Sequence, residues 1–149
     1  MIKGDLEGLS LADKWILSRL SCVATEVAEN LEKYEISAAG DAIYHFVWDE
    51  FCDWYIEASK VELNPQILKY VYGEILKLTH PLCPFVTETI YKELFDAEGS
   101  IMDLQYPEPD FANSEAEKTF KTVQNLVTEI RRIRAEKKLN PKEKIEAKI

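Results

Sequence analysis

Side chains that usually support catalysis and metal binding are scarce in this sequence of 149 residues. It has two histidines, and neither belongs to an H-E-x-x-H or E-x-x-H pattern, which excludes the zinc-protease and di-iron motifs. It also lacks G-x-S-x-G, a Walker loop and G-x-G-x-x-G, so the usual nucleophile and phosphate-binding motifs are missing. The residues themselves therefore give a catalytic centre little support.

Cysteine, glycine and proline are also scarce, at 3, 5 and 6 residues. Cys22, Cys52 and Cys83 lie about 30 residues apart and form no C-x-x-C pair, so neither a disulfide framework nor a zinc ribbon is expected. Unbridged thiols indicate a reducing compartment. We therefore predict a cytoplasmic location, or an organelle if the source is eukaryotic.

Long hydrophobic runs are absent, so no transmembrane helix is expected. The first residues carry charge and do not resemble a secretory signal. What the sequence does have is 46% hydrophobic residues, including three Trp, seven Tyr and six Phe, which is far too aromatic for a disordered chain. One soluble domain with one core is predicted.

Positive charge is in deficit, because the net charge is −9. Taken as a whole, this value argues against nucleic acid or an anionic membrane as a partner. The charge is distributed unevenly, however. Residues 1–110 carry 8 basic and 21 acidic side chains, a net −13, whereas residues 111–149 carry 10 basic and 6 acidic, a net +4. The molecule is therefore polarised, and its C-terminal quarter remains a candidate for binding a polyanion.

Apolar residues recur at spacings of three and four, which predicts an all-α fold, an antiparallel bundle of four to five helices. Start signals are capping boxes at Ser10 and Ser114, Asn64 followed by a proline, and Pro84. The apolar stripe of the first helix is predicted to extend to Tyr34. The expected segments are a helix after residue 10, a central helix at 37–61, helices from 65 and 84, an extended stretch at 101–104, and a helix from 114 to about 139.

The end of the sequence changes pattern. Asn140 and Pro141 are expected to follow the last helix, and Lys144–Ile149 alternates polar and apolar residues like a strand. A single strand has no partner within the sequence. We therefore predict that residues 1–140 form the bundle and that residues 141–149 begin a truncated α/β segment.

The predicted central helix holds six aromatic residues within residues 44–55. They have two interpretations: core packing, since each ring buries a large apolar area, or stacking of nucleic-acid bases. Core packing is favoured for Phe46, Phe51 and Trp48. Trp54 and Tyr55 are left open, because their polar tips suit a boundary position.

His45, Asp49 and Asp53 lie four residues apart on one side of the same helix, a spacing that suits a metal chelate. The alternative is a solvated acidic face that continues with an ion pair between Glu57 and Lys60. We favour the acidic face, since no other helix offers matching ligands, and predict no metal site.

Seven basic residues against three acidic ones occupy residues 129–144. On a helix, Arg131, Arg134 and Lys138 share a face, and Lys121 extends its polar stripe. Guanidinium groups at this spacing can contact successive phosphates or stack on bases. The alternative is a solvated helix end whose cations are favoured by the helix dipole. Composition alone does not choose between them.

Four stretches together carry a resemblance to a known family. They are L-A-D-K-W-I-L-S-R-L at 11–20, F-C-D-W-Y-I-E at 51–57, H-P-L-C-P-F-V-T-E at 80–88 and I-R-R-I-R-A-E at 130–136. In this order they closely resemble valyl-tRNA synthetases, which are class I aminoacyl-tRNA synthetases. The F-C-D-W-Y stretch favours the valine enzymes over their isoleucine and leucine relatives.

The resemblance implies an anticodon-binding helical bundle from an enzyme that charges valine onto its tRNA with ATP and edits mischarged threonine. The H-I-G-H and K-M-S-K-S motifs of that family are absent from the sequence, so neither activity is expected here. No cofactor is expected in this chain. ATP and Mg²⁺ would belong to a catalytic domain of the parent enzyme. An N-K-x-W-N-A-x-R-F helix that precedes this region in the family is also absent.

The resemblance also implies the partners: a valine tRNA anticodon stem-loop and the catalytic, editing and C-terminal domains of the same polypeptide. A monomer without membrane contact is expected. The nucleic-acid-binding residues are predicted to be Arg131, Arg134, Lys138, Lys121 and Trp54. The alternative is a structural docking module that never contacts RNA.

Overall fold

The computed structural model describes residues 8–95, 98–108 and 111–138. The all-α fold is confirmed in these residues, which form an open bundle without strands. A continuous helical run at 36–59 includes a ten-residue π-helical segment. The helices, numbered in chain order, are α1 Leu11–Glu32, α2 Ile36–His45, the π segment Phe46–Tyr55, α3 Ile56–Ser59, α4 Pro65–Thr79, α5 Pro84–Phe95 and α6 Ser114–Glu136, with a short 3₁₀ helix at Ile101–Asp103.

Local capping signals fix most helix starts where they were predicted. Ser10 accepts the Asp13 backbone N–H at 3.1 Å, and Asn64 accepts that of Ile67 at 3.3 Å ahead of α4. Helix α6 begins at Ser114, but its N-cap is Asn113 and not the predicted Ser114: the Asn113 side chain accepts the Ala116 N–H at 2.9 Å.

The end of α1 and one connection differ from the predictions. Helix α1 stops at Glu32, and Tyr34 lies beyond it at φ 60°, almost fully exposed, so its predicted place on the apolar stripe was wrong. Residues 101–103 are 3₁₀ helix and not extended, because Ser100 and Asp103 cap each other reciprocally. The predicted strand Lys144–Ile149 and the predicted domain boundary at 140 lie outside the described residues.

Helix α1 occupies the centre of the bundle, a place that the sequence pattern assigned to the second helix. It contacts α2, the π segment, α4 and α6. Its buried face supplies a large part of the hydrophobic core. The buried apolar residues of α1 are Trp15, Ile16, Leu17, Leu20, Val23, Ala24 and Val27.

The π segment changes which residues of the second helix face the core. Phe46 and Phe51 are both buried although they are five residues apart, a spacing that an α-helix places on different faces. The i→i+5 bonding of a π-helix uses more residues per turn and returns both to one face. Trp48 is consequently 57% exposed, and its predicted place in the core was wrong. Tyr44 is exposed in the same way.

A buried hydrogen bond fastens the π segment to the start of α1. The Tyr55 hydroxyl donates to Asp13 Oδ1 at 2.7 Å, and both residues are buried. Burial, together with this bond to a carboxylate, raises the pKa of Tyr55 far above its ordinary value. Asn64 Nδ2 approaches the other Asp13 oxygen at only 3.5 Å, which is long for a hydrogen bond. Tyr55 is therefore the main donor to this buried carboxylate.

We predict that Tyr55→Phe lowers the free energy of unfolding by about 1–3 kcal/mol, because the buried Asp13 carboxylate loses its hydroxyl donor. Urea denaturation, followed by the far-ultraviolet circular dichroism of the helices, measures this loss of stability. The matched control is Tyr44→Phe on the exposed side of the same helical run, which should change stability by less than about 0.5 kcal/mol. Equal effects of the two substitutions would contradict this role.

Candidate nucleic-acid interface

A groove of about 930 Å³ runs between the π segment, α1 and α6. Its walls combine indole rings, cations, carboxylates and amides. The lining residues are Trp15, Arg19, Asp49, Glu50, Trp54, Glu117, Lys118, Lys121, Thr122, Gln124, Asn125 and Thr128. The mixture of a large flat ring and converging polar groups is typical of sites that take a planar polar ligand.

Aromatic packing holds α6 beside the π segment. The Phe120 ring stacks on Trp15 with centroids 4.0 Å apart and planes 12° apart. Its other contact is edge-to-face with Trp54, at 6.4 Å between centroids. Phe120 and Ala116 are the buried residues of α6. The first turns of α6 are therefore packed more deeply into the bundle than the rest of the helix.

Hydrogen bonds from α1 fix the start of α6. The backbone N–H of Asn113 donates to Ser18 Oγ at 2.8 Å, and the Ser18 hydroxyl donates to Glu117 Oε1 at 2.5 Å. The N–H of Phe111 donates to Ser21 Oγ at 3.3 Å. Since Ser18 itself is buried, these bonds satisfy polar groups that would otherwise be unpaired.

Trp54 and Arg131 form the centre of the candidate interface. The Arg131 guanidinium carbon lies 5.6 Å from the centroid of the half-buried Trp54 ring, a cation–π contact between α6 and the π segment. The sequence predicted both residues as RNA contacts, and the fold brings them together. Lys121 lines the same groove as Trp54, nearly three turns before Arg131 on α6.

The other two cations predicted on this helical face, Arg134 and Lys138, do not both lie on it. Arg134 is half-buried one turn beyond Arg131. Lys138 lies past the end of α6, which finishes at Glu136, and takes a left-handed backbone conformation at φ 52°. The prediction that Lys138 continues the helical face of Arg131 and Arg134 was therefore wrong.

The groove also contains an ion pair, between Arg19 and Glu50, that the sequence did not predict. Arg19 Nε and Nη2 donate to the two carboxylate oxygens of Glu50 at 2.8 and 2.9 Å. This bond raises the pKa of Arg19 further, and burial opposes the shift. The two residues are 31 positions apart, so no sequence motif marks the pair.

The acidic face of the second helix has no metal-binding geometry in the described part of the chain. His45 Nδ1 lies 2.7 Å from Asp49 Oδ2, with both side chains exposed. No group of three His, Cys, Asp or Glu residues converges there or elsewhere among the described residues. The predicted ion pair between Glu57 and Lys60 is confirmed.

The three cysteines are free thiols. Among the described residues, no helix is long and apolar enough to cross a bilayer.

We predict that Phe120→Ala lowers the free energy of unfolding by about 3–5 kcal/mol, because it removes the ring that packs between the two tryptophans. Val123→Ala on the same helix is the control and should cost less than about 1 kcal/mol, since Val123 is 41% exposed. Urea denaturation measures both values. Similar costs would mean that Phe120 does not anchor α6.

The sequence is similar to those of known tRNA ligases. The family model for the anticodon-binding domain of tRNA ligases matches residues 13–149. The valine–tRNA ligase of Streptomyces coelicolor is 39% identical over 154 residues, covering 97% of this chain and 18% of that protein. That of Pseudothermotoga lettingae is 41% identical over 146 residues, covering 92% and 17%. That of Thermotoga maritima is 39% identical over 153 residues, covering 97% and 18%.

The chain thus spans less than a fifth of the length of these relatives. The resemblance to valyl-tRNA synthetases that the sequence carries is confirmed by these matches. Since the family model covers residues 13–149, nearly the whole sequence, the chain belongs to the anticodon-binding domain family of tRNA ligases.

Proposed function

We propose that this chain is the anticodon-recognition module of a valine–tRNA ligase and that the groove beside Trp54 takes the anticodon loop. The observation that carries the proposal is the pairing of a stacking surface with cations: Arg131 covers Trp54, and Lys121 lines the same groove. Single-stranded RNA is typically bound in this way, by rings that stack bases and cations that contact the backbone.

The net charge of −9 is compatible with this function because the cations are local. Exposed charges interact over only about 8 Å at physiological salt, so phosphates near α6 respond to the charges of that surface, which include Lys118, Lys121 and Arg131, and not to the net charge of the whole chain.

The whole ligase would join valine to its tRNA with ATP, in the cytoplasm, and this chain would supply binding without chemistry. ATP and Mg²⁺ would be bound by the catalytic domain of the ligase, which together with its editing and C-terminal domains forms the remaining partners. Valine codons fix the middle and third anticodon bases as A and C. These are the bases that such a module has to distinguish.

Replacing Arg131 with alanine should weaken binding of a valine tRNA anticodon stem-loop and reduce the salt slope by roughly one counterion, because one phosphate contact is lost. Arg134→Ala should act in the same direction. Fluorescence anisotropy over a series of salt concentrations measures affinity and slope together.

The matched control is Arg132→Ala on the same helix. The Arg132 guanidinium already pairs with Glu129 and Glu136 at 2.7 and 2.6 Å, so its removal should change the slope little. Unchanged affinity and slope for Arg131→Ala would contradict the placement of the RNA. Binding that is insensitive to salt altogether would favour a docking module that never meets RNA.

A further inference from the structure

Donors and acceptors of opposite charge line different parts of the groove. The π segment supplies Asp49 and Glu50, whose carboxylates accept only, and α6 supplies Lys118 and Lys121, whose ammonium groups donate only, beside the carboxylate of Glu117. Unpaired bases expose donors and acceptors along their Watson–Crick edges. A groove with separated donors and acceptors can therefore distinguish bases that differ in the order of these groups.

Asp49 has an oxygen available for a ligand. Both Glu50 oxygens accept from Arg19, whereas Asp49 uses Oδ2 for the contact with His45. Asp49 Oδ1 makes no hydrogen bond with any described residue, and 55% of the side chain is exposed. A donor on a ligand can reach this oxygen without breaking a bond inside the protein.

The π winding brings Asp49 toward Trp54. The two residues are five positions apart, and both line the groove. In an α-helix a residue five positions away points to a different face, whereas i→i+5 winding places the two one turn apart on one face. A base stacked on Trp54 can therefore present an edge toward the carboxylate.

We propose that Asp49 is a specificity-determining residue of this groove, accepting a hydrogen bond at Oδ1 from the exocyclic amino group of a base stacked on Trp54. The inference rests on the proposed function, since it assumes that an anticodon base enters here. On the facing helix, Lys121 donates to the neighbouring ring nitrogen. The base displaces the Arg131 guanidinium from the indole face, which leaves Arg131 available for a phosphate.

This arrangement favours adenine and cytosine. Each carries an amino donor beside an unprotonated ring nitrogen, the order that a carboxylate and an ammonium group match. In the same orientation guanine and uracil place a carbonyl oxygen where adenine and cytosine have the amino group, with an N–H beside it, and a carbonyl oxygen facing the carboxylate is repelled. The two bases that valine codons fix, A and C, both have the favoured order.

Base substitution in the anticodon stem-loop tests the proposal directly. Three loops are compared, with adenine, inosine or unsubstituted purine at the middle anticodon position. Inosine replaces the amino group with a carbonyl oxygen, and unsubstituted purine removes it. The wild-type chain should bind the adenine loop about tenfold more tightly than either analogue. In Asp49→Asn, whose amide both donates and accepts, the ratio of adenine to inosine affinity should fall to about twofold or less.

The control is Asp53→Asn, which removes the same charge from an exposed position of the π segment that does not line the groove, and it should keep the wild-type ratio. An unchanged ratio in Asp49→Asn, with binding still weakened by Arg131→Ala, would overturn the role of Asp49 and leave the proposed function intact. Failure of the wild-type chain to bind any of the three loops would overturn both.

Discussion

The Phe120 ring, stacked on Trp15 and touching the edge of Trp54, is the contact on which the arrangement of this domain depends. Helix α6 is 23 residues long, yet its buried residues are Ala116 and Phe120 near its start. The direction of the whole helix is therefore set by packing at one end, reinforced by hydrogen bonds to Ser18. Because Trp54 belongs to both the packing and the groove, the contact that stabilises α6 also positions the surface proposed to stack RNA bases.

Strongly acidic composition and RNA binding are reconciled by the separation of charge in this fold. Two carboxylates of the groove have partners within the fold: Glu50 pairs with Arg19, and Glu117 accepts a hydrogen bond from Ser18. Lys118 and Lys121 of α6 line the same groove as Asp49 and Glu50 of the π segment. A groove built in this way has low net charge but strong local polarity, which suits discrimination between bases better than a uniformly basic surface, because such a surface binds phosphates of any sequence alike.

Sequence reasoning succeeded where a few adjacent residues decide the structure. The signals at Ser10, Asn64 and Pro84 each act within one helical turn, so the starts of α1, α4 and α5 were predictable. It failed at Trp48, where a uniform period of 3.6 residues predicts burial and the π segment instead exposes the ring. Lys138 was misplaced for a related reason, since α6 ends two residues before it. In the site, Trp54 and Arg131 were predicted separately, but Arg19 and Glu50 carry no recognisable motif.

The pattern of residues is enough to assign the all-α class, most helix starts, the polarised charge and membership of a tRNA ligase family, because periodicity, capping and extended motifs depend on residues close together along the chain. Tertiary packing fixes which side of the second helix faces α6 and which charges share a groove. Those choices depend on contacts such as Trp15 with Phe120 and Arg19 with Glu50. Such contacts join residues far apart in the chain, and their geometry is set by packing and not by local pattern.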